Sequence, residues 1–140
     1  MSIFRTLRIS GSALTAERLR MDTIANNLAN VNTTRTESGG PYQRQVPIFT
    51  TRTEERPTED GFRGGGVRVT GIYSDLSPAR RVHEPGHPDA DLEGYVEYPN
   101  VNVVTEMVDM ITATRAYEAN ITIINSSRNM ALKALEIGRG

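Results

Sequence analysis

The chain lacks most of the side chains and motifs on which enzymes depend. It contains no cysteine, no tryptophan and only two histidines. Without cysteine, neither a disulfide framework nor a thiolate metal site can form. No Gly-x-Ser-x-Gly elbow is present, and Gly64-Gly65-Gly66 lacks the Gly-Lys-Ser/Thr that contacts nucleotide phosphate. We therefore expect no enzymatic activity, no catalytic residues and no cofactor.

The sequence also lacks an excess of charge and any long apolar run. Its 16 basic and 17 acidic residues give a net charge of −1, which predicts no attraction to nucleic acid. Arg5 and Arg8 interrupt the apolar residues that follow Met1, so we expect no signal peptide. No run reaches the roughly 20 residues that a transmembrane helix needs. The 140 residues, 37% of them apolar, provide for one modest domain.

One cluster has the residue types of a metal site, namely His83, His87, Asp89 and Asp91. Its spacing matches neither a zinc pattern nor an EF-hand loop, and the prolines and glycine within it favour a turn. We expect a structural loop here, with no metal and no small-molecule substrate. A metal-dependent enzyme is the most distant alternative.

A long helical pattern lies near the C-terminal end of the sequence. The segment Val101–Ile137 contains neither proline nor glycine, and Asn100 or Asn102 can cap its start. Steps of three and four residues alternate along it, which is the a/d pattern of a coiled coil. The members of this seam are Met107, Met110, Thr114, Tyr117, Ile121, Ile124, Arg128, Ala131 and Leu135. A seam of this kind predicts packing against another helix.

The first thirty residues repeat this pattern and predict a second amphipathic helix from Ile3 to Ala29. One seam position recurs every seven residues at Leu7, Leu14, Met21 and Leu28. The other holds Ile3, Ser10, Glu17, Ile24 and Val31. The Asn-rich segment that follows predicts the end of the helix, because asparagine tolerates the left-handed C-cap conformation and bonds to its own backbone in turns.

These patterns predict a mainly α fold in which long N- and C-terminal helices form an antiparallel coiled-coil-like pair with a small irregular β-rich connector. The expected segments are 1–34 (helix and Asn-rich cap), 35–98 (partly β, partly mobile connector) and 99–140 (C-terminal helix). Four β-prone runs lie in the connector, at Tyr42–Thr50, Gly66–Tyr73, Ala79–Glu84 and Gly94–Tyr98. The stretch Thr51–Gly66 has little apolar surface and is expected to be mobile.

The heptads leave two registers for the helix pair. One sets Leu7 opposite Ala131 and Leu14 opposite Ile124, but it places the charge of Glu17 against Ile121. The other sets Leu14 opposite Ala131, Met21 opposite Ile124 and Leu28 opposite Tyr117. We favour the second register, because it pairs the seam charges of Glu17 and Arg128.

Two Asn-rich motifs at the ends of the predicted helices resemble signatures of the bacterial flagellar axial proteins, the rod, hook and hook-associated subunits. The first motif is Ala25, Asn26, Asn27, Leu28, Ala29, Asn30, Val31, Asn32 and Thr33. The second starts with Pro99, Asn100, Val101 and Asn102 and continues in Arg115–Asn120. Pro85–Ala90 and Met130–Leu135 look most like the short proximal-rod subunits. Here residues 33–40 replace the Pro-Gly-Tyr turn that usually follows the first motif.

The resemblance implies a structural subunit of the proximal rod of the flagellar basal body, part of the drive shaft for motility. The implied partners are copies of itself, other proximal-rod and distal-rod subunits, the adaptor at the membrane ring and, during secretion, the type III export apparatus. The implied location is the periplasmic rod, reached without a cleaved signal peptide. Two alternatives stay open: an axial subunit of distal-rod or hook type, or a soluble helical-hairpin adaptor.

In such a subunit the helix seams are the expected assembly interface. The residues assigned to it are Leu7, Leu14, Met21, Ile24, Leu28, Met107, Met110, Tyr117, Ile121, Ile124, Ala131 and Leu135.

Overall fold

The computed structural model describes residues 3–53, 61 and 64–140. The elements are α1 (Ile3–Ala29), β1 (Gln45–Thr53), β2 (Gly64–Ser74), β3 (Arg80–His83), β4 (Tyr95–Tyr98) and α2 (Val103–Arg139). With 27 and 37 residues, α1 and α2 are about 40 and 55 Å long. The two helices pack against each other, which confirms the predicted fold class.

The observed register of the helix pair differs from the register predicted by pairing Glu17 with Arg128. Thr114 Oγ1 lies 3.6 Å from Met21 Sδ, whereas the favoured register placed Ile124 opposite Met21. The difference is ten residues, or about 15 Å along the helix axis. The favoured register is therefore wrong. The rejected register would place Tyr117 opposite Met21, which is within one helical turn of the observed Thr114.

Only part of the seam predicted on α2 faces α1. Met110, Tyr117, Ile124 and Ala131 are half-buried, as a seam facing α1 requires. Met107, Ile121 and Leu135 are instead 54, 38 and 66% exposed, so their predicted packing against α1 is wrong. One position before Met107 and Ile121, Glu106 is buried and Asn120 is half-buried, and the buried Ala113 and Ser127 lie on the same face. Small and polar side chains thus allow the two helices to approach each other.

Both helix ends that meet the connector are held by asparagine side chains. Asn102 caps α2, with its Oδ1 accepting from the Thr105 amide at 3.1 Å. After Ala29 the backbone turns as Asn30 donates from its amide to the Asn26 carbonyl at 3.1 Å and from its side chain to the same carbonyl at 2.9 Å. Among the described residues no residue other than glycine has a positive φ, so the expected left-handed asparagine cap is not used.

The connector consists of two antiparallel hairpins, β1 with β2 and β3 with β4. All four strands fall on runs that the sequence marked as β-prone. Part of the stretch Thr51–Gly66, predicted to be mobile, instead extends the strands: β1 reaches Thr53, and β2 begins at Gly64. Most of that stretch lies outside the described residues.

The first hairpin packs on the side of α1 through a close backbone approach at Gly66. Ser12 Oγ accepts from the Val67 amide at 3.0 Å and donates to the Ile9 carbonyl at 2.7 Å, so the hydroxyl joins strand and helix. Gly66 has a φ of +104°, and a methyl group added to it would overlap Ser12 Oγ. Glycine is therefore required both for the conformation and for the space.

Replacing Gly66 with alanine is expected to lower the free energy of unfolding by about 1–3 kcal/mol, because the backbone conformation is strained for other residues and Ser12 must move. Urea denaturation followed by circular dichroism measures the change. Gly86→Ala is the matched control, since no positive φ is recorded for Gly86 and a methyl group there meets open space. Equal unfolding free energies for the two variants would contradict the close approach.

The second hairpin is closed by Asp91. Its Oδ1 accepts from the amides of Tyr95 at 2.8 Å and Glu93 at 2.9 Å, and its Oδ2 accepts from Arg81 Nη2 at 2.9 Å. The hydrogen bond from the Tyr95 amide is the main cause that lowers the pKa of Asp91, with smaller contributions from Glu93 and Arg81.

A carboxylate whose pKa is lowered by folding stabilises the fold above its ordinary pKa of about 3.9, and this contribution is lost as the pH falls through the lower folded value. We therefore expect the Tyr95 amide shift in an NMR titration to change with a midpoint below 3.9. Asp91→Asn should remove this transition. A midpoint at or above the ordinary value would show that the three hydrogen bonds do not favour the ionised form.

Candidate assembly interface

An apolar stripe runs along the first turns of α2, on the side opposite to α1. It comprises Val104, Met107, Val108 and Ile111, which follow the spacing i, i+3, i+4, i+7 of one helix face, and we call it the outer stripe. All four side chains are more than half exposed. By contrast, six apolar residues of the described chain are buried: Ala16, Ile24, Val96, Pro99, Val101 and Ala113. The chain thus exposes more large apolar side chains than it buries.

The outer stripe continues into a groove at the start of α2. The groove has a volume of about 800 Å³. Its apolar lining comes from the end of α1, the segment before β3 and the start of α2, namely Val31, Pro78, Pro99, Val101, Val103 and Val104. Val104 belongs to both features, so stripe and groove form one continuous surface.

The other end of α2 extends beyond α1. Since Thr114 lies beside Met21 and the helices are antiparallel, Ile3 at the start of α1 lies near the level of Leu132. The remaining residues of α2 have no α1 residue beside them, and Leu135 and Ile137 are 66 and 80% exposed. A second exposed apolar region therefore occupies the opposite end of the molecule.

The assigned interface residues divide between these surfaces and the helix pair. On α1, Ile24 is buried, and the half-buried members are Leu7, Leu14, Met21 and Leu28. On α2, the half-buried members are Met110, Tyr117, Ile124 and Ala131. Met107, Ile121 and Leu135 are exposed, so these three are the assigned residues most accessible to another subunit.

A network of polar side chains joins the helix pair to the connector, at the end of the pair where the outer stripe lies. We call it the polar junction, and its members are Asn27, Tyr42, Arg44, Gln45, Asn100 and Glu106. Asn27 lies at its centre and is 1% exposed. The Asn27 amide donates to Glu106 Oε2 at 3.1 Å and to the Gln45 carbonyl at 2.9 Å. Its oxygen accepts from the Tyr42 hydroxyl at 2.8 Å and from the Gln45 amide at 2.9 Å, so all its hydrogen-bonding capacity is used.

Glu106 is the one fully buried charge of the junction, with 0% exposure. Its carboxylate accepts from Asn27 and from Arg44 Nε. Arg44 also lies 3.5 Å from Asp109 and 3.7 Å from Asp75. Burial opposes the charge on Arg44, but the hydrogen bond to Glu106 and the three nearby carboxylates raise its pKa above the ordinary value. Arg44 therefore keeps its positive charge throughout the ordinary pH range.

Tyr42 connects the first Asn-rich motif to the junction. Its hydroxyl donates to Asn27 and accepts from Asn26 Nδ2 at 3.0 Å. Burial raises the pKa of Tyr42, the hydrogen bond from Asn26 opposes this, and the negative charge of Glu106 raises the pKa further. The phenol thus remains protonated and able to donate at neutral pH.

The second Asn-rich motif reaches the same junction from the start of α2. Asn100 Oδ1 accepts from the Arg44 amide at 2.8 Å, and its Nδ2 donates to the carbonyls of Asp75 at 2.9 Å and Ser77 at 3.0 Å. Pro99 and Val101 on either side of Asn100 are buried. The other residues of the first motif are exposed or half-buried: Ala25, Asn26, Leu28, Ala29, Asn30, Val31, Asn32 and Thr33.

Sequence reasoning identified both Asn-rich motifs but missed that they meet. It gave Asn100 or Asn102 as the cap of α2; Asn102 is the cap, whereas Asn100 joins the ends of the first hairpin. Glu106 and Arg44 were not singled out at all. One signal was present: Glu106 precedes Met110, Ala113 and Tyr117 at helical spacing, which places a carboxylate on the inward face.

The histidine and aspartate cluster of the connector forms a hydrogen-bonded loop. His87 Nδ1 accepts from the Asp89 amide at 3.0 Å, and Asp89 Oδ2 accepts from Thr34 Oγ1 at 2.8 Å. Within residues 3–53, 61 and 64–140, no three His, Cys, Asp or Glu side chains converge as metal ligands would. No helix in these ranges combines the length and apolarity needed to cross a bilayer.

Comparison with known proteins places both helices in one family. Residues 7–35 match the family described as flagella basal body rod protein, and residues 92–137 match the C-terminal region of the flagellar basal body rod FlgEFG proteins. The chain is 49% identical over 152 positions to the flagellar basal-body rod protein FlgC of Borreliella burgdorferi, covering 100% of both chains. It is 42% identical over 150 positions to FlgC of Bacillus subtilis, and 39% identical over 139 positions to FlgC of Escherichia coli O157:H7, with 99% of this chain and 100% of each relative covered. The chain therefore belongs to the FlgC family of flagellar basal-body rod proteins, which are structural subunits and not enzymes.

Proposed function

We propose that this rod subunit belongs to the proximal part of the rod and assembles through the apolar surfaces of its terminal helices. The observation that carries the proposal is the outer stripe, four apolar side chains that face away from α1 and continue into the groove. Contiguous exposed apolar surfaces mark sites of protein association. A chain with a small core and apolar surfaces at both ends is suited to burial between neighbouring subunits.

The proposed partners follow from the two ends of the molecule. Copies of this chain and other proximal-rod subunits would cover the outer stripe and the groove. Distal-rod subunits and the adaptor at the membrane ring would contact the ends of the assembled layer. Subunit surfaces at opposite ends of a chain produce head-to-tail contacts, which build rods and helical assemblies.

The proposed route to this position is the type III export apparatus of the flagellum, with no cleaved signal peptide, and the proposed location is the periplasmic section of the rod. The absence of cysteine fits an oxidising compartment, because a chain without thiols cannot form incorrect disulfides. The small apolar core fits passage in an unfolded state, since little buried surface has to be exposed before export.

Electron cryotomography of cell envelopes from a strain that lacks this chain tests the proposed position. Membrane rings without a completed rod, restored by the intact gene, are the expected result. A rod that is complete at its proximal end but lacks its distal part would indicate a distal-rod subunit. A complete rod and hook would overturn the proposal and favour a soluble helical-hairpin adaptor.

A further inference from the structure

The apolar seam between α1 and α2 repeats along its length. On α1 its large members recur every seven residues at Leu7, Leu14, Met21 and Leu28, and on α2 at Met110, Tyr117, Ile124 and Ala131. If α2 slides by seven residues, most of these side chains meet another apolar side chain of similar kind. Most of the buried residues between them are small, among them Ser10, Ala16, Ala113 and Ser127, and Ile24 is the large apolar exception. Apolar packing alone therefore discriminates weakly between registers one heptad apart.

The polar junction does not repeat. Asn27 is the one asparagine buried within α1, and Glu106 is the one carboxylate with 0% exposure on α2. Arg44 is held near Asn27 by its neighbour Gln45, whose amide and carbonyl both bond to the Asn27 side chain. Arg44 also contacts the α2 side, because its amide donates to Asn100 Oδ1 at 2.8 Å and its guanidinium pairs with Glu106. Arg44 therefore links α1 to α2 at one level of the helix pair.

A slip of one heptad would separate the members of the junction. It would move Glu106 about 10 Å from Asn27 and Arg44. If α2 slipped one way along α1, Ala113 would take the place of Glu106. If α2 slipped the other way, the segment before α2 would take that place. Arg44 and Asn27 would then face a part of α2 with no carboxylate acceptor, and Arg44 would keep only Asp75 of the connector as an anionic partner. Buried polar groups without partners strongly disfavour such a state.

We propose that the polar junction, and not the apolar seam, sets the register of the helix pair, with Glu106 as the residue that specifies it. This inference concerns the single chain and is independent of the position of the subunit in the rod. The register also affects the shape of the subunit. The register determines how far α2 extends beyond α1 and where the outer stripe lies relative to the connector, so the junction fixes the spacing between the two exposed apolar surfaces.

The absence of cysteine makes engineered cysteine pairs a direct measurement of register. In the purified full-length chain, Met21→Cys with Thr114→Cys reports the observed register. Leu14→Cys with Thr114→Cys, and Leu28→Cys with Thr114→Cys, report slips of one heptad in either direction. Mild oxidation followed by mass spectrometry of disulfide-linked tryptic peptides gives the fraction of each cross-link.

With the native junction, the Met21–Thr114 cross-link is expected to exceed each slipped cross-link about tenfold or more, where each factor of ten corresponds to about 1.4 kcal/mol. The double variant Arg44→Met with Glu106→Met is made in an Asn100→Ala background, because Asn100 also ties the start of α2 to the amide of residue 44. In this double variant the three cross-links should come within about threefold of one another, because the repeating seam then selects the register without the junction. Arg115→Met with Glu118→Met is the matched control, since it removes one exposed charge of each sign from α2 and should leave the native preference unchanged.

Three results would overturn the proposal. The first is a native chain that forms the slipped cross-links as readily as the Met21–Thr114 cross-link. The second is a double variant that keeps full helical circular dichroism and the tenfold preference, which would assign the register to the apolar seam. The third is a double variant without helical structure, which would make the junction a source of stability and not of register.

Discussion

Ile111→Glu is expected to prevent rod assembly while leaving the chain folded. Ile111 is the last residue of the outer stripe and is 54% exposed, so the isolated chain tolerates a charge there. In an assembled rod the same position would be covered by a neighbour, and a carboxylate buried without a partner is disfavoured by several kcal/mol. A loss of about 3–4 kcal/mol weakens association by roughly 10²- to 10³-fold. We therefore expect cells with this variant to lack swimming motility.

Swimming in soft agar and the rod content of isolated basal bodies measure this effect, and circular dichroism of the purified variant measures the fold. Thr112→Glu is the matched control, because Thr112 is exposed on the same turn but is already polar and lies outside the stripe. Normal motility of the Ile111 variant would remove the outer stripe from the assembly interface. A variant that loses helical structure would instead indicate that Ile111 supports the fold of the single chain.

Arg44→Met is expected to produce the largest loss of stability among single substitutions in the connector. The substitution keeps most of the aliphatic side chain but leaves the carboxylate of Glu106 buried with no cation, and removal of one partner from a buried ion pair lowers the free energy of unfolding by about 3–5 kcal/mol. A small domain has a total stability of only about 5–15 kcal/mol, so the variant should be close to unfolding. Urea denaturation at neutral pH gives the value.

Arg81→Met is the matched control for this measurement. Arg81 and Asp91 form an ion pair whose side chains are 52 and 45% exposed, and such a pair contributes about 0–1 kcal/mol. Adding Glu106→Met to Arg44→Met should restore a large part of the lost stability, because no uncompensated charge then remains buried. Similar unfolding free energies for the Arg44 and Arg81 variants would show that Glu106 reaches water or another cation when Arg44 is absent.

The seam of α2 shows how far a helical pattern alone can be interpreted. Met110, Tyr117, Ile124 and Ala131 are half-buried as predicted, and Thr114 contacts Met21 on α1. Met107 and Ile121 are instead exposed, and the residue before each of them is turned inward. A step of one residue rotates a helix position by about 100°. The prediction chose the apolar residue at each level, Met107 and Ile121, but the chain places Glu106 and Asn120 inward and leaves the apolar residues exposed. In a subunit of an assembly, apolar character does not distinguish the intrachain interface from surfaces exposed to other chains.

The junction could not be predicted for a different reason. Asn27 and Glu106 are separated by 79 positions in the sequence, and Arg44 and Glu106 by 62. Each residue has an ordinary local interpretation. Asn27 belongs to a motif that ends a helix, Arg44 belongs to a β-prone run, and Glu106 lies in the first turn of a helix, where glutamate is common. Only the packing of α1, α2 and the first hairpin brings the three together and gives the buried carboxylate its partners.

Local signals in the sequence were sufficient to locate both helices and the four strands, to show the absence of catalytic motifs and to indicate the family. The sequence predicts α1 from about Ile3 to Ala29, which is the range observed, whereas α2 starts two residues after the predicted Val101 and ends two residues after the predicted Ile137. These features depend on periodicity, caps and turns, which act over a few residues. The tertiary structure alone decided the register of the helix pair, the face of α2 that is buried and the partners of Glu106. A heptad pattern is nearly unchanged by a slip of seven residues, so a contact between distant residues has to select one register.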